Sequence, residues 1–253
     1  MSNSSLVDYK ILSPNHSGKR THTIDRITPH CVVGQLTAKS IAGCFPKGRN
    51  ASCNYGIGTN GDIALIVDEE NRSWCSSSGA NDQRAVTIEC ASDMKEPYTM
   101  NDTVYNKLID LCADICKRNG KNKLIWITDK NKALAYNLAA DEMIITVHRW
   151  FANKSCPGDW LYNRLGDLAT KVTSKLNGGT TKPSNPSSTS FKVKVLIDNL
   201  NYRSEPSMNG VVKGHTGKGI FTILEVKNEW GRLKSGVGWI YLQNPKYCVK
   251  ICH

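Results

Sequence analysis

Apolar residues recur along this chain in two rhythms. Short runs rich in β-branched side chains, at Ile27–Val33, Asp62–Val67, Ala85–Ala91, Leu124–Thr128 and Met143–Val147, are bounded by turn residues and predict strands. Between them the spacing becomes helical. Asn101 is placed as an N-cap, Val104, Leu108, Leu111, Cys112 and Ile115 form one apolar stripe, and Gly120 stops it. A second stripe runs through Leu161, Leu165, Leu168, Val172 and Leu176 ahead of Gly178 and Gly179. Strands alternating with helices predict an α/β domain whose central, mostly buried sheet is flanked by helices. Beyond residue 190 the helical rhythm is gone, and short strands with Gly-rich turns predict a small all-β barrel.

Residues 178–190 hold no apolar side chain and are rich in Gly, Pro, Ser and Thr, the composition of an extended solvated linker. They divide the 253 residues into a domain over 1–177 and a second over 191–253, both of ordinary domain size. The 22% of charged residues excludes bulk disorder, but the net charge of +11 is unevenly spread. Residues 191–253 carry ten Lys and Arg against four Asp and Glu, more than half of the excess. Such a segment implies an anionic partner: nucleic acid, a membrane surface or an anionic wall polymer.

Ten cysteines suggest a disulfide framework, yet the chain is far longer than the secreted scaffolds that need one. Cys112 and Cys116 share a helix face, and Cys31, Cys53 and Cys90 lie in or beside apolar runs, so most read as small core residues in a reducing cytosol. The opening MSNSSLVDYK has no apolar core segment, and no run approaches the roughly eighteen apolar residues of a membrane span. The expectation is cytoplasmic synthesis without a signal peptide, with any action outside the cell requiring release by another component.

Of six histidines, His30 ends the apolar run ITPH and His148 ends IITVH. Open α/β sheets form their sites at strand ends, so the two are placed to share a cleft. Cys156 follows eight residues after His148, just before a helix start and beside Lys154, both of which favour a thiolate. Two imidazoles and a thiolate make a three-ligand set for zinc with a fourth position open to water. The same residues also fit a plainer reading, in which strand-end histidines are hydrogen-bonded and a cysteine before a helix is merely buried. No compact CxxC or HExxH pattern decides between them.

Four elements in order carry a resemblance over about residues 20–176. They are His30 ending the opening strand; SCNYGIGTNGDIALIVDE, with a Tyr–x–Ile–x–x–x–Gly–x–Ile hairpin; RSWCSSSGANDQRAVTIECA, with a Trp and then a strand ending Ile–Glu; and H-x5-K-x-CPG at His148, Lys154 and Cys156. This part resembles the zinc-dependent N-acetylmuramoyl-L-alanine amidases of the phage-lysozyme and peptidoglycan-recognition-protein type, and the whole chain resembles the clostridial phage endolysins. The resemblance implies zinc on His30, His148 and Cys156, with Tyr55 and Lys154 as oxyanion donors and Glu89 as general base. Each has a bland counterpart: a core tyrosine, a solvated loop lysine, a paired carboxylate. Two positions depart from the family pattern. Cys31 and Asn54 stand where many relatives have histidine, and strand alternation points Cys31 away from the face of His30. Among the tryptophans, Trp126 reads as core, whereas Trp74 and Trp150 are candidates for the rim of a glycan groove.

Residues 191–253 resemble bacterial SH3-like cell-wall-binding domains through NLNYRSEPS, VVKGHTGKGIFTILEV, NEWGRLKSG and GWIYL. There Tyr202, Trp230, Trp239 and Tyr241 are candidate wall contacts with charge from Lys213, Lys218 and Lys234; Trp239 and Tyr202 equally suit a small core. The resulting expectation is a lysin that cuts the bond between N-acetylmuramic acid and L-alanine in peptidoglycan, held on the wall by its tail and released through a separate pore-forming protein. A non-catalytic peptidoglycan-binding protein and a host autolysin with the same chemistry are the alternatives. No recognised nucleic-acid module accompanies the charge.

Overall fold

In the computed structural model, which describes residues 2–178, 190–208, 210–227 and 229–251, the two rhythms resolve into two separate units, Met1–Thr180 and Thr181–His253. The segment read as a linker lies outside the described residues except at its ends.

In the first unit the order is β1 (Tyr9–Lys10), β2 (Arg26–Cys31), α1 (Ala38–Gly43), β3 (Tyr55–Ile57), β4 (Ile63–Leu65), α2 (Gly79–Asp82), β5 (Ala85–Cys90), α3 (Asp102–Arg118), β6 (Lys123–Ile125), α4 (Lys130–Ala135), β7 (Glu142–Ile145), a 3-10 turn at His148–Trp150, α5 (Gly158–Tyr162) and α6 (Leu165–Leu176). The strands form one sheet in the order β1-β4-β3-β5-β2-β7-β6. Only β3 and β4 pair antiparallel; the other neighbours are parallel.

The first helical stripe forms α3 as its spacing requires. The Asn101 side chain accepts from the Val104 amide at 2.8 Å and caps the N-terminus. At the other end Gly120 takes a left-handed φ of 68°, Lys121 N donates to Cys116 O, and Gly120 N donates to Lys117 O, which is a Schellman closure. All five stripe residues are fully buried, the four aliphatic ones each contributing on the order of 1.5–3 kcal/mol. The second stripe spans two helices. Leu161 lies in α5 and the rest in α6, because the chain leaves the helix at Asn163–Arg164 and restarts.

Alternation along β2 and β5 sorts their side chains onto two faces. Ile27, Cys31, Val86, Ile88 and Cys90 join the core containing α3 and α6. Thr28, His30, Thr87 and Glu89 point the other way, since Thr28 pairs with Thr87 and His30 with Glu89 in register. On that second face α1 lies over β3 and β4 around Ile41, Ala64 and Ile66. A Cβ on Gly56 would sit 2.7 Å from Ile41 Cγ2, so glycine is what lets this helix approach. Next to it runs a buried polar layer. Asn81 Nδ2 donates to Thr28 Oγ1 (3.0 Å) and Ser76 Oγ (3.2 Å), while Asn81 Oδ1 accepts from Thr146 Oγ1 (3.0 Å) and Arg26 Nη1 (3.1 Å). One amide on α2 thereby links β2 to the segment leaving β7.

The second unit contains β8 (Phe191–Val195), β9 (Leu200–Arg203), β10 (Val212–Thr216), β11 (Gly219–Lys227), β12 (Trp230–Leu233), β13 (Trp239–Tyr241) and β14 (Cys248–Ile251). They form an antiparallel sheet in the order β10-β9-β13-β12-β11-β8-β14 over a small core of Val193, Val195, Leu200, Ile223, Leu233, Ile240 and Cys248.

The nine cysteines among the described residues are unpaired, six of them buried. Burial pushes the thiols of Cys53, Cys90, Cys112 and Cys116 upward, to about 12 for Cys116. Among the described residues no helix is long and apolar enough to cross a membrane.

Glu69, 1% exposed, is held by Arg118 at 2.6 Å and 2.8 Å and accepts from the Tyr55 hydroxyl at 2.5 Å. Arg118→Ala leaves that carboxylate buried without its cation, so a loss of about 3–5 kcal/mol is expected, read as a lower urea midpoint.

Candidate active site and metal centre

Parallel strands β2, β5 and β7 all deliver their C-terminal ends to one edge of the sheet, the usual place for a site in an open α/β fold. His30 is the penultimate residue of β2, and Glu89 lies beside it on β5. His148 opens the 3-10 turn just beyond β7. The loop after that turn is clamped by Arg149, whose backbone N donates to Cys156 O (3.1 Å) and whose guanidinium bonds Ser155 O (Nε, 3.2 Å) and Asp159 Oδ1 (2.9 Å). That clamp sets Cys156 against the strand ends.

His30 Nδ1 and Cys156 Sγ are 3.2 Å apart, and the rings of His30 and His148 meet edge-on with centroids 5.1 Å apart. Ligand atoms of His30, His148 and Cys156 all lie within 4.8 Å of one another. His30 is 1% exposed, and its Nε2 is buried with no hydrogen-bond partner. Burial, with the neighbouring His148 adding to it, lowers the His30 pKa to about 3; burial and then the Lys154 charge lower that of His148. Both rings are therefore neutral and carry a lone pair. Two nitrogens and a sulfur converging in this way fit the donor preferences of zinc.

The Cys156 thiol departs from expectation. Hydrogen bonding with Cys31, then burial, then the Glu89 charge push its pKa upward. The helix that follows is only five residues long. The thiolate needs a cation at the site to replace its proton. Cys31 belongs to the opposite core as alternation predicts, yet at the end of its strand it still reaches Cys156.

Glu89 Oε1 accepts from Cys75 Sγ at 3.8 Å, and Oε2 is buried without a partner. Burial raises this carboxyl to about 7 against a small opposing effect of the Cys75 hydrogen bond. His30, Cys75 and Glu89 also present ligand atoms within 4.8 Å of one another. Lys154 is exposed on the loop, with its charge felt at His148.

Tyr55 is not at this site. It pairs with Ile88, one residue out of phase with Glu89, so it projects into the opposite core. Its hydroxyl is occupied by Glu69 and by the Ser4 amide at 2.9 Å. Trp150 is likewise not a rim residue. It is 8% exposed and stacks on Trp126 at 5.2 Å, with Trp126 the more open of the two. Trp74 is half-buried, and its Nε1 donates to Ser17 Oγ at 2.7 Å. Asn54 is structural: its Oδ1 accepts from Thr87 N and Arg20 Nη2, and its Nδ2 donates to Val67 O. Four residues that sequence reasoning passed over support the site: Ser77, whose Oγ is 2.9 Å from His148 Nε2, with Cys75, Asn81 and Arg149. Their signal is weak, because isolated Ser, Cys, Asn and Arg residues in loops and short helices carry no periodicity.

In the second unit Trp230 and Tyr241 meet at 5.4 Å and line a cavity of about 720 Å³ together with Asn201, Arg203, Glu229 and Tyr247. Tyr202 and Trp239 do not line it. Tyr202 packs against the small core, and Trp239 is half-buried. Lys218 pairs with Asp198 at 3.0 Å.

The family model for N-acetylmuramoyl-L-alanine amidase matches residues 20–159. No curated protein matches the chain. Among solved structures, PlyL is 16% identical, with 66% of this chain and 96% of that chain covered and a TM-score of 0.47. The Staphylococcus aureus hydrolase AmiA in complex with its ligand is 13% identical, with coverage of 72% and 89% and a TM-score of 0.49. An AmpD derivative is 16% identical, with coverage of 66% and 96% and a TM-score of 0.46. The matched stretch takes in every strand end that builds the cluster and more than half of the chain, and the protein belongs to the N-acetylmuramoyl-L-alanine amidase family.

Proposed function

We propose that this peptidoglycan amidase works with a zinc ion held by His30, His148 and Cys156, and that it serves as a phage endolysin whose second unit is an SH3-like wall-binding domain. The observation that carries the metal reading is the convergence of two neutral imidazoles and one thiol within 4.8 Å at the strand ends. When bound there, zinc polarises a substrate carbonyl and lowers the pKa of water toward neutrality. Glu89, raised to about 7 and left with one free oxygen, is suited to take a proton from the attacking water and return it to the leaving amine near neutral pH. Lys154 supplies a positive charge beside His148 for the oxyanion of the tetrahedral state. Tyr55, committed to Glu69, takes no part. A complete donor set favours catalysis over binding without cleavage.

The lysin reading is supported by the ordered motifs shared with clostridial phage endolysins, and it implies lysis of the host after release through a separate pore. The antiparallel sheet of the second unit and its basic excess support attachment to peptidoglycan and anionic wall polymers. Trp230 and Tyr241, which line the cavity, are its candidate contacts. Tethering of this kind raises the effective substrate concentration even when the tail binds weakly.

Purified walls digested by the protein should gain L-alanine amino groups. New reducing sugar ends without amines would overturn the reaction proposed. Chelation should abolish the activity and zinc restore it, while Cys156→Ser and His30→Ala should be inactive with unchanged circular dichroism. Glu89→Gln should bind zinc normally and lose about 10²–10⁴-fold in kcat. Trp230→Ala should release the protein from sedimented walls without altering cleavage of a soluble muropeptide; retention equal to wild type would remove the cavity from wall binding.

A further inference from the structure

Ser77 stands out among the residues around the site because its backbone and its side chain are both unusual. Its φ of 60° lies in the left-handed region, which residues other than Gly, Asn and Asp enter at a cost. Its hydroxyl oxygen is 2.9 Å from Nε2 of His148, 71 residues away. The residues around it are held firmly. The amides of Cys75 and Ser76 donate to the Asp82 carboxylate, the latter at 3.2 Å and 3.3 Å. Ser76 Oγ accepts from Asn81 Nδ2, and Ser78 caps α2 by accepting from the Asn81 amide. The loop on both sides of Ser77 is thereby fixed by α2, and a conformation that glycine would adopt freely is kept for a residue with a hydroxyl. Such strain persists where the surroundings over-determine it and is concentrated at functional sites.

A neutral imidazole has one N–H and one lone pair, and the partner of one nitrogen decides the role of the other. If Nε2 carries the proton and donates to Ser77 Oγ, the lone pair of His148 is on Nδ1. On His30 it is also Nδ1 that lies 3.2 Å from Cys156 Sγ. We propose that Ser77 is the positioning residue that selects the Nδ1-donor tautomer of His148 and fixes its ring for the metal. The inference rests on the zinc reading given above. Ser77 acts through His148 and does not itself meet the reacting atoms. Its loop shares Asn81 with the polar layer that ties Thr28 of β2 to Thr146, two residues before His148.

The test uses the full chain and zinc alone, with affinity measured by competition against a chromogenic chelator. Ser77→Gly relaxes the backbone and deletes the hydroxyl. The zinc-free variant should melt no lower than wild type while zinc affinity falls about 10–100-fold, the usual loss when a ligand's outer hydrogen bond is removed. Amidase activity should return when zinc is raised to saturation. Ser77→Asn tolerates the same backbone and keeps an acceptor oxygen, so it should restore most of the affinity. Long-range proton–nitrogen spectra of the zinc-loaded wild type should show His148 protonated at Nε2. Equal zinc affinity in wild type and Ser77→Gly, or metal on Nε2, overturns the role of Ser77 alone. Failure of the wild type to take up zinc overturns the metal reading and this inference together.

Discussion

The in-register pairing of β2 with β5 is the constraint on which the rest of the first unit depends. It places His30 opposite Glu89 and both of them back to back with an apolar layer of Ile27, Val86 and Ile88. A slip of one residue in β2 would turn the imidazole into the core beneath α3 and Ile27 out of it, leaving Glu89 without its partner. The fold therefore protects its chemistry with the same burial that stabilises it. The polar layer through Asn81 extends this arrangement to the segment leaving β7, so the second histidine is placed by hydrogen bonds where the first is placed by sheet register.

Burial, joined at Cys156 by a stronger effect of its hydrogen bond with Cys31, governs the proton states at the sheet's edge. Three kinds of group respond in the direction their charge dictates: the imidazoles fall, the carboxyl of Glu89 rises and the thiol of Cys156 rises. All are biased toward neutrality without a cation. The loop carrying Cys156 is kept in reach of these groups by Arg149.

Much of this was legible in the residues. The β-branched runs mark strands, Asn101 and Gly120 bracket α3, and His30 and His148 at the ends of apolar runs point to a shared cleft. What was not legible depends on which way a side chain faces and on what it meets. Tyr55 has the right neighbours in sequence, yet a period of two turns it away from Glu89 and into the Glu69–Arg118 pair. Trp150 lies two residues from His148, and a 3-10 turn drives it inward onto Trp126. The break between α5 and α6 leaves the apolar stripe intact, so periodicity could not reveal it. The state of the Cys156 thiol is set by Cys31 and Glu89, which are distant in sequence and adjacent in space.

The buried cysteines bear on how the protein survives chemically. Oxidants attack thiolates, and susceptibility follows thiolate character and exposure. Cys53, Cys90, Cys112 and Cys116 are buried, with their thiols pushed upward. They are thus slow targets for peroxide or for disulfide exchange in an oxidising medium. At these four positions the chain gains small, well-packed core residues with little redox liability.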